Sequence, residues 1–312
     1  MAMRQLPKSE LVVSQLCLGT NVFGWSIDQG QSFEILDKYL ELGGNFLDTA
    51  DNYSQWKEGN TGGESEEIIG SWLSKRKNRS SVVIASKVAK LQTRRGLSPA
   101  NIRSALEDSL KRLQTDYLDI YYSHEDDLSV PTEETLKCYT ELIAEGKIRY
   151  IAASQHTADR LAQALEISKR ENLASYIALQ DHYNLMARKT YEDSQMQVVK
   201  EYQLSALPFY GLAKGFLTGK YRVGVNVESV RAESVAEYFT PTGWQVLNTL
   251  TEISKQRGKS IAAVALAWLR ANPTISTPIA SATSLAQLSE VMQELWLSNE
   301  EVTLLNTASN SS

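Results

Sequence analysis

Eight short runs of apolar, strand-like residues alternate along this chain with stretches of helical period, and few folds accommodate that order. The runs span 15–19, 45–49, 81–86, 117–122, 149–153, 176–180, 204–209 and 276–279. Between and after them, helical periodicity marks 32–42, 65–75, 101–113, 132–145, 158–170, 192–202, 243–257 with 260–271, and 284–295. Pro99, Pro131 and Gly146 fall where helices are expected to start and stop. An eightfold strand–helix alternation closes most economically into an α/β (β/α)8 barrel, a TIM barrel. Residues 3–13, around Pro7-Lys8-Ser9, read as an N-terminal β-hairpin ahead of it. The competing architecture is an open doubly wound sheet. Against it, the first strand does not run into a compact Gly-x-Gly-x-x-Gly turn and helix.

Length permits two domains or one barrel, and no Pro/Ser-rich linker, repeat or low-complexity tract divides the chain. Residues 1–312 therefore read as a single barrel domain, with 223–240 as a weakly patterned surface insertion and candidate flap. A net charge of -5 argues against a nucleic-acid or polybasic-lipid partner. Cys17 and Cys138 sit in apolar contexts and read as buried free thiols. The first ten residues lack the apolar core of a signal peptide, and no run reaches membrane-spanning length, so a cytoplasmic protein without a membrane partner is expected.

In a barrel, the carboxyl ends of the strands converge on one face, where chemistry is placed. The second strand ends Phe46-Leu47-Asp48-Thr49-Ala50-Asp51-Asn52-Tyr53, the third delivers Lys87, and the fourth delivers His124. Singly, Asp48 reads as a helix cap, Lys87 as a surface lysine and His124 as a structural histidine. Together they form a coherent acid catalyst. A phenol is a poor donor near neutrality unless its anion is stabilised, an adjacent ammonium supplies that stabilisation, and a buried ammonium needs a carboxylate. His124 can then orient a substrate carbonyl oxygen. His124, His156 and His182 all lie near strand ends, which also permits a three-histidine metal site; the first strand lacks a His-x-His pair, and Lys87 would repel the metal. No metal is expected.

The motifs 46–53, 84–88, 122–126, Ser154, 180–185 and 215–221, in this order, resemble those of the aldo-keto reductases. The resemblance implies a barrel that binds NADPH or NADH without a Rossmann domain and reduces an aldehyde or ketone, a small-molecule carbonyl substrate. It implies Tyr53 as general acid, Lys87 and Asp48 tuning it, and His124 orienting the carbonyl. It further implies cofactor contacts from Gly19, Thr20 and Asn21, from Ser154, Gln155 and Gln180, from Phe209, Tyr210, Gly211, Leu212, Lys214 and Gly215, and from Ala280, Ser281, Ala282, Thr283 and Gln287. Gln155 stands where relatives usually carry asparagine, and Phe209 where a stacking tyrosine is common. Relatives also place a cation after the eighth strand for the 2′-phosphate, whereas residues 271–312 contain no Lys or Arg. NADPH is the expected cofactor, with weakened discrimination against NADH and with Lys214 or Arg222 as substitute cations. Trp25 and Trp56 are expected to line the substrate pocket, and Trp72, Trp268 and Trp296 to pack on helices. The β-subunits of voltage-gated potassium channels share the barrel and cofactor, so a cofactor-binding regulatory role stands as the alternative.

Overall fold

The computed structural model describes residues 2–221 and 232–310. Eight parallel strands, Cys17–Gly19, Phe46–Asp48, Val83–Val88, Leu118–Ser123, Ile148–Ser154, Tyr176–Gln180, Ser205–Ala206 and Ile279–Ala280, form one sheet, and the eighth pairs with the first (Ile279 with Cys17, Ala280 with Leu18). The seventh and eighth are joined by a parallel bridge, Ala206 to Ile275. The amides of Ala206, Ser276 and Ile279 complete the join by donating to Thr274 O, Ala206 O and Pro208 O at 3.0, 3.0 and 2.9 Å. The sheet closes into a (β/α)8 barrel. The seventh strand is shorter than its apolar run because Pro208 has no N–H to give to the ladder.

Strand parity determines what faces the interior. Phe46, Val83, Ala85, Ile120, Tyr122, Ala152, Ala178 and Leu207 point inward and make one buried cluster. Leu47, Ile84, Tyr121, Ala153 and Leu179 point outward and pack on the helices in a second. The same period of two sends Asp48, Lys87, Ser154 and Gln180 inward at the carboxyl end. The hairpin Met3–Gln5 and Val12–Ser14 plugs the opposite mouth, adding Leu6, Leu11 and Val13 to the interior cluster. Helices 64–76 and 99–113 approach so closely at Gly70 that a Cβ there would lie 2.0 Å from Arg112 O, so only glycine fits.

Several elements differ from the sequence reading. Residues 192–202 begin as a π-turn, Tyr191–Gln195, before the α-helix Met196–Glu201; the wider turn lets Tyr191 reach Thr274 and Gln195 reach His156 O. The helix Leu285–Val291 stops short, which leaves Trp296 outside any helix and 58% exposed rather than packed. A further helix, Asn299–Ser309, lies beyond the last stretch of helical period and opens on a capping box between Ser298 and Glu301. Of the insertion at 223–240, the part up to 231 lies outside the described residues. The remainder holds a short helix, Ala232–Val235, and a 3-10 turn, Ala236–Tyr238, with Val235 and Tyr238 buried, so it is not merely a surface loop. Among the described residues no helix is long and apolar enough to cross a membrane.

Candidate active site

At the carboxyl end of the barrel lies a cleft of about 890 Å³. Its floor is built by register: Gly19, Asp48 and Ala85 are level across the first three strands, and Lys87 stands two residues higher on the third. From there its Nζ reaches back to Asp48 Oδ1 at 2.5 Å, donates to Thr49 O at 2.9 Å, and contacts Tyr53 OH at 2.6 Å. Tyr53 OH also donates to Asp48 Oδ1 at 3.0 Å, and Gln180 Nε2 donates to Asp48 Oδ2 at 2.8 Å. Lys87 is fully buried, so every proton of the ammonium is spent on a named acceptor, as a buried charge requires. The His124 ring stands edge-on to Tyr53, 6.1 Å between centroids.

Burial raises the Tyr53 phenol well above its ordinary pKa, and the negative charge of Asp48 acts the same way. Burial lowers Lys87, against the upward pull of Asp48. The expectation that the ammonium would depress the phenol therefore fails for the resting protein: desolvation and Asp48 outweigh it, and Tyr53 stays protonated. His124 is driven well below its ordinary pKa by burial, then by Lys87 and Lys90, so the ring is neutral. Its Nδ1 is buried with no partner among the described residues; we assign the proton to Nε2, since Nδ1 has no acceptor for an N–H.

Most of the candidate cofactor residues line this cleft: Gly19, Asn21, Ser154, Gln155, Gln180, Phe209, Tyr210, Gly211, Leu212, Lys214, Gly215, Ala280, Ser281, Thr283 and Gln287. Two do not. Thr20 is turned into the core, its hydroxyl donating to Asp48 O at 2.8 Å, and Ala282 is buried beneath the turn. Trp56 lines the cleft, whereas Trp25 packs edge-on behind it at 5.6 Å. Gln155 holds a left-handed conformation, φ +54°, and its amide donates to His124 O at 3.2 Å. Sequence reasoning did not single out Asn52, Lys90, Lys220 or Glu290, which also line the cleft; Asn52 and Lys220 lay inside motifs 46–53 and 215–221 without being given a role, and Lys90 and Glu290 carried no motif signal.

These residues fit a nicotinamide dinucleotide. Ser154 Oγ is buried without a partner among the described residues, ready for a ligand amide. Phe209 stacks on His182, 5.7 Å apart and 15° from parallel, and lines the cleft. The N–H groups of Gly211 and Leu212 have no acceptor among the described residues, and they precede left-handed turns at Ala213, Lys214 and Gly215, an anion-binding backbone form. In the turn after the eighth strand, Ser281 Oγ is spent on Asn21 and Thr283 Oγ1 on Gln287. Lys214 is engaged by Glu237 at 2.7 Å, and Arg222 lies outside the described residues. Lys220 also lines the cleft. The histidines do separate work: His156 bonds Ser154 O through Nδ1 and His182 meets Asn184, and among the described residues no metal-binding group of three forms.

Behind Tyr53, Asp51 is fully buried and neither of its oxygens has a partner among the described residues. Burial and the neighbouring Glu66 raise its pKa from 3.8 to about 8. The unfolded chain releases this proton near 3.8 and the folded chain keeps it until about 8, so stability falls as pH rises through that window. Asp51→Asn is expected to flatten this loss. In thermal melts the variant gains on the parent at alkaline pH and gains least in acid; a gain independent of pH would contradict it.

The profile of the Aldo/keto reductase family matches residues 15–310. The uncharacterized oxidoreductase YrpG of Bacillus subtilis (strain 168) is 32% identical, covering 96% of this chain and 94% of its own. Protein tas of Escherichia coli (strain K12) is 31% identical, covering 96% and 95%. A probable voltage-gated potassium channel subunit beta of Oryza sativa subsp. japonica is 32% identical, covering 95% and 91%.

Proposed function

The chain belongs to the aldo/keto reductase family, an NAD(P)H-dependent oxidoreductase, and from that premise we propose that it reduces an aldehyde or ketone with Tyr53 as the general acid. The observation that carries this is the contact of Tyr53 OH with a fully buried ammonium at 2.6 Å on the floor of the cleft. A bound reduced nicotinamide supplies the hydride. Tyr53 supplies the proton: as it leaves, charge grows on an oxygen already facing Lys87, whose ammonium is fixed by Asp48 and Thr49 O and needs no reorganisation. The neutral His124 donates from Nε2 to the same carbonyl oxygen and holds its lone pair toward Tyr53. Ser154 and Gln180 hold the nicotinamide amide, Phe209 supports its ring, and the backbone at Gly211 and Leu212 receives the pyrophosphate.

NADPH is the proposed cofactor. The turn after the eighth strand offers no cation and its hydroxyls are engaged, so the charge for the 2′-phosphate comes from Lys220, which lines the same cleft. Parallel fluorescence titrations at low salt are expected to show tighter binding of NADPH than NADH. Lys220→Ala should weaken NADPH about tenfold, the size of one charged hydrogen bond, and NADH less. Equal or tighter NADH binding by the parent would contradict the assignment. The similarity to a channel β-subunit supports a second reading, a cofactor-binding regulatory subunit; consumption of NADPH on addition of an aldehyde separates the two.

A further inference from the structure

The third strand, Val83–Val88, carries Lys87 and ends where His124 N donates to Val88 O at 2.9 Å. The next residue, Ala89, takes φ +115°, a conformation that L side chains rarely adopt. This bend turns the chain out of the barrel into a hairpin, Lys90–Leu91 with Arg94–Arg95, closed by Gly96 N to Ala89 O at 3.0 Å. Without the bend, Lys90 would continue the strand; with it, Lys90 lines the cleft. The hairpin is fixed to the loop bearing Tyr53 and Trp56: Gln55 Nε2 donates to Lys90 O at 3.4 Å, and Gln92 N donates to Gln55 Oε1 at 3.0 Å.

Lys90 is not a solvated surface lysine. Its side chain is only 25% exposed, and its charge is felt at His124, the residue that faces the substrate oxygen. Its acidic neighbour, Glu125, is more exposed and stands off at 3.5 Å, a long contact that leaves the ammonium underused. Asn52 also lines the cleft, 7% exposed, and its Nδ2 donates to no acceptor among the described residues. A cation and an uncommitted amide in the wall that carries the acid catalyst have nothing to offer a hydrocarbon aldehyde. They match an anion with several acceptor lone pairs.

We infer that the substrate is a carbonyl compound bearing a carboxylate, an oxo acid or aldehydic acid, and that Lys90, with Asn52 as a second donor, selects for it. The inference rests on the carbonyl reduction proposed above. On binding, the carboxylate displaces Glu125 from Lys90 and takes an Asn52 amide hydrogen, while the carbonyl oxygen sits between Tyr53 and His124.

The test is steady-state reduction, with NADPH, of the positional isomers of carboxybenzaldehyde against their methyl esters. For the isomer with the best reach, the acid is expected to exceed its ester in kcat/KM by about tenfold or more, the difference lying in KM. Lys90→Met should lower that acid-to-ester ratio by roughly tenfold, and Lys90→Arg should retain it. Glu125→Gln, which removes the competing anion, should raise it. Equal use of acid and ester by the parent, or a ratio unmoved in Lys90→Met, overturns the inference alone. Failure to reduce any acid or ester would overturn the carbonyl-reductase reading, and the inference with it.

Discussion

Tyr53→Phe is expected to lower kcat by about 10²- to 10⁴-fold, the range of a positioned general acid, while the dissociation constant for NADPH stays within about twofold. The split follows from where the hydroxyl lies. Its contacts are Lys87 and Asp48 on the cleft floor, and none is with the Ser154, Phe209 or Gly211 group proposed to hold the dinucleotide. Phenylalanine keeps the ring and its packing, so the loss is chemical rather than structural. Parallel loss of cofactor affinity would mean that Tyr53 acts by shaping the site.

Lys87→Met should produce the second large effect, and on two axes. Removing one partner of a buried ion pair leaves Asp48 uncompensated, which destabilises by about 3–5 kcal/mol. The double variant Lys87→Met/Asp48→Asn should recover most of that stability in chemical denaturation and none of the turnover, since the phenolate still lacks its cation. Recovery of turnover would remove Lys87 from the mechanism. The parent should report the same group in its pH profile. Burial lowers Lys87 below its ordinary 10.5, whereas Tyr53 is raised above its ordinary 10.0. Reductive kcat should therefore fall as pH rises through the depressed Lys87 value, before any tyrosine ionises.

The barrel and the gathering of Asp48, Tyr53, Lys87 and His124 were legible because both follow from period and order. Two-residue alternation from Phe46 and from Ala85 places Asp48 and Lys87 in the interior whatever the rest of the chain does. What escaped depends on geometry between segments. Thr20 follows a strand end as Asn21 does, yet turns inward because Asp48 O and Ser65 Oγ lie there to bond its hydroxyl. Trp25 was displaced from the cleft by Trp56, and sequence cannot rank two neighbouring indoles. Lys214 carries the right charge, but Glu237, distant in sequence, holds it. Lys90 sits beyond a strand end like many solvent-facing lysines; only the backbone turn at Ala89 brings it to the cleft. The direction of the Tyr53 shift likewise needed the depth of burial as well as the neighbours.

The central claim is that bound NADPH is consumed when a carbonyl enters this cleft, with Tyr53 delivering the proton. The most direct measurement is a single turnover by stopped flow: protein loaded with stoichiometric NADPH is mixed with excess 4-carboxybenzaldehyde, and the loss of reduced-nicotinamide absorbance is followed. The account predicts one oxidation per bound NADPH in the parent, slowed by about 10²- to 10⁴-fold in Tyr53→Phe. Tight NADPH binding with no oxidation in the parent, or an undiminished rate in Tyr53→Phe, would contradict it.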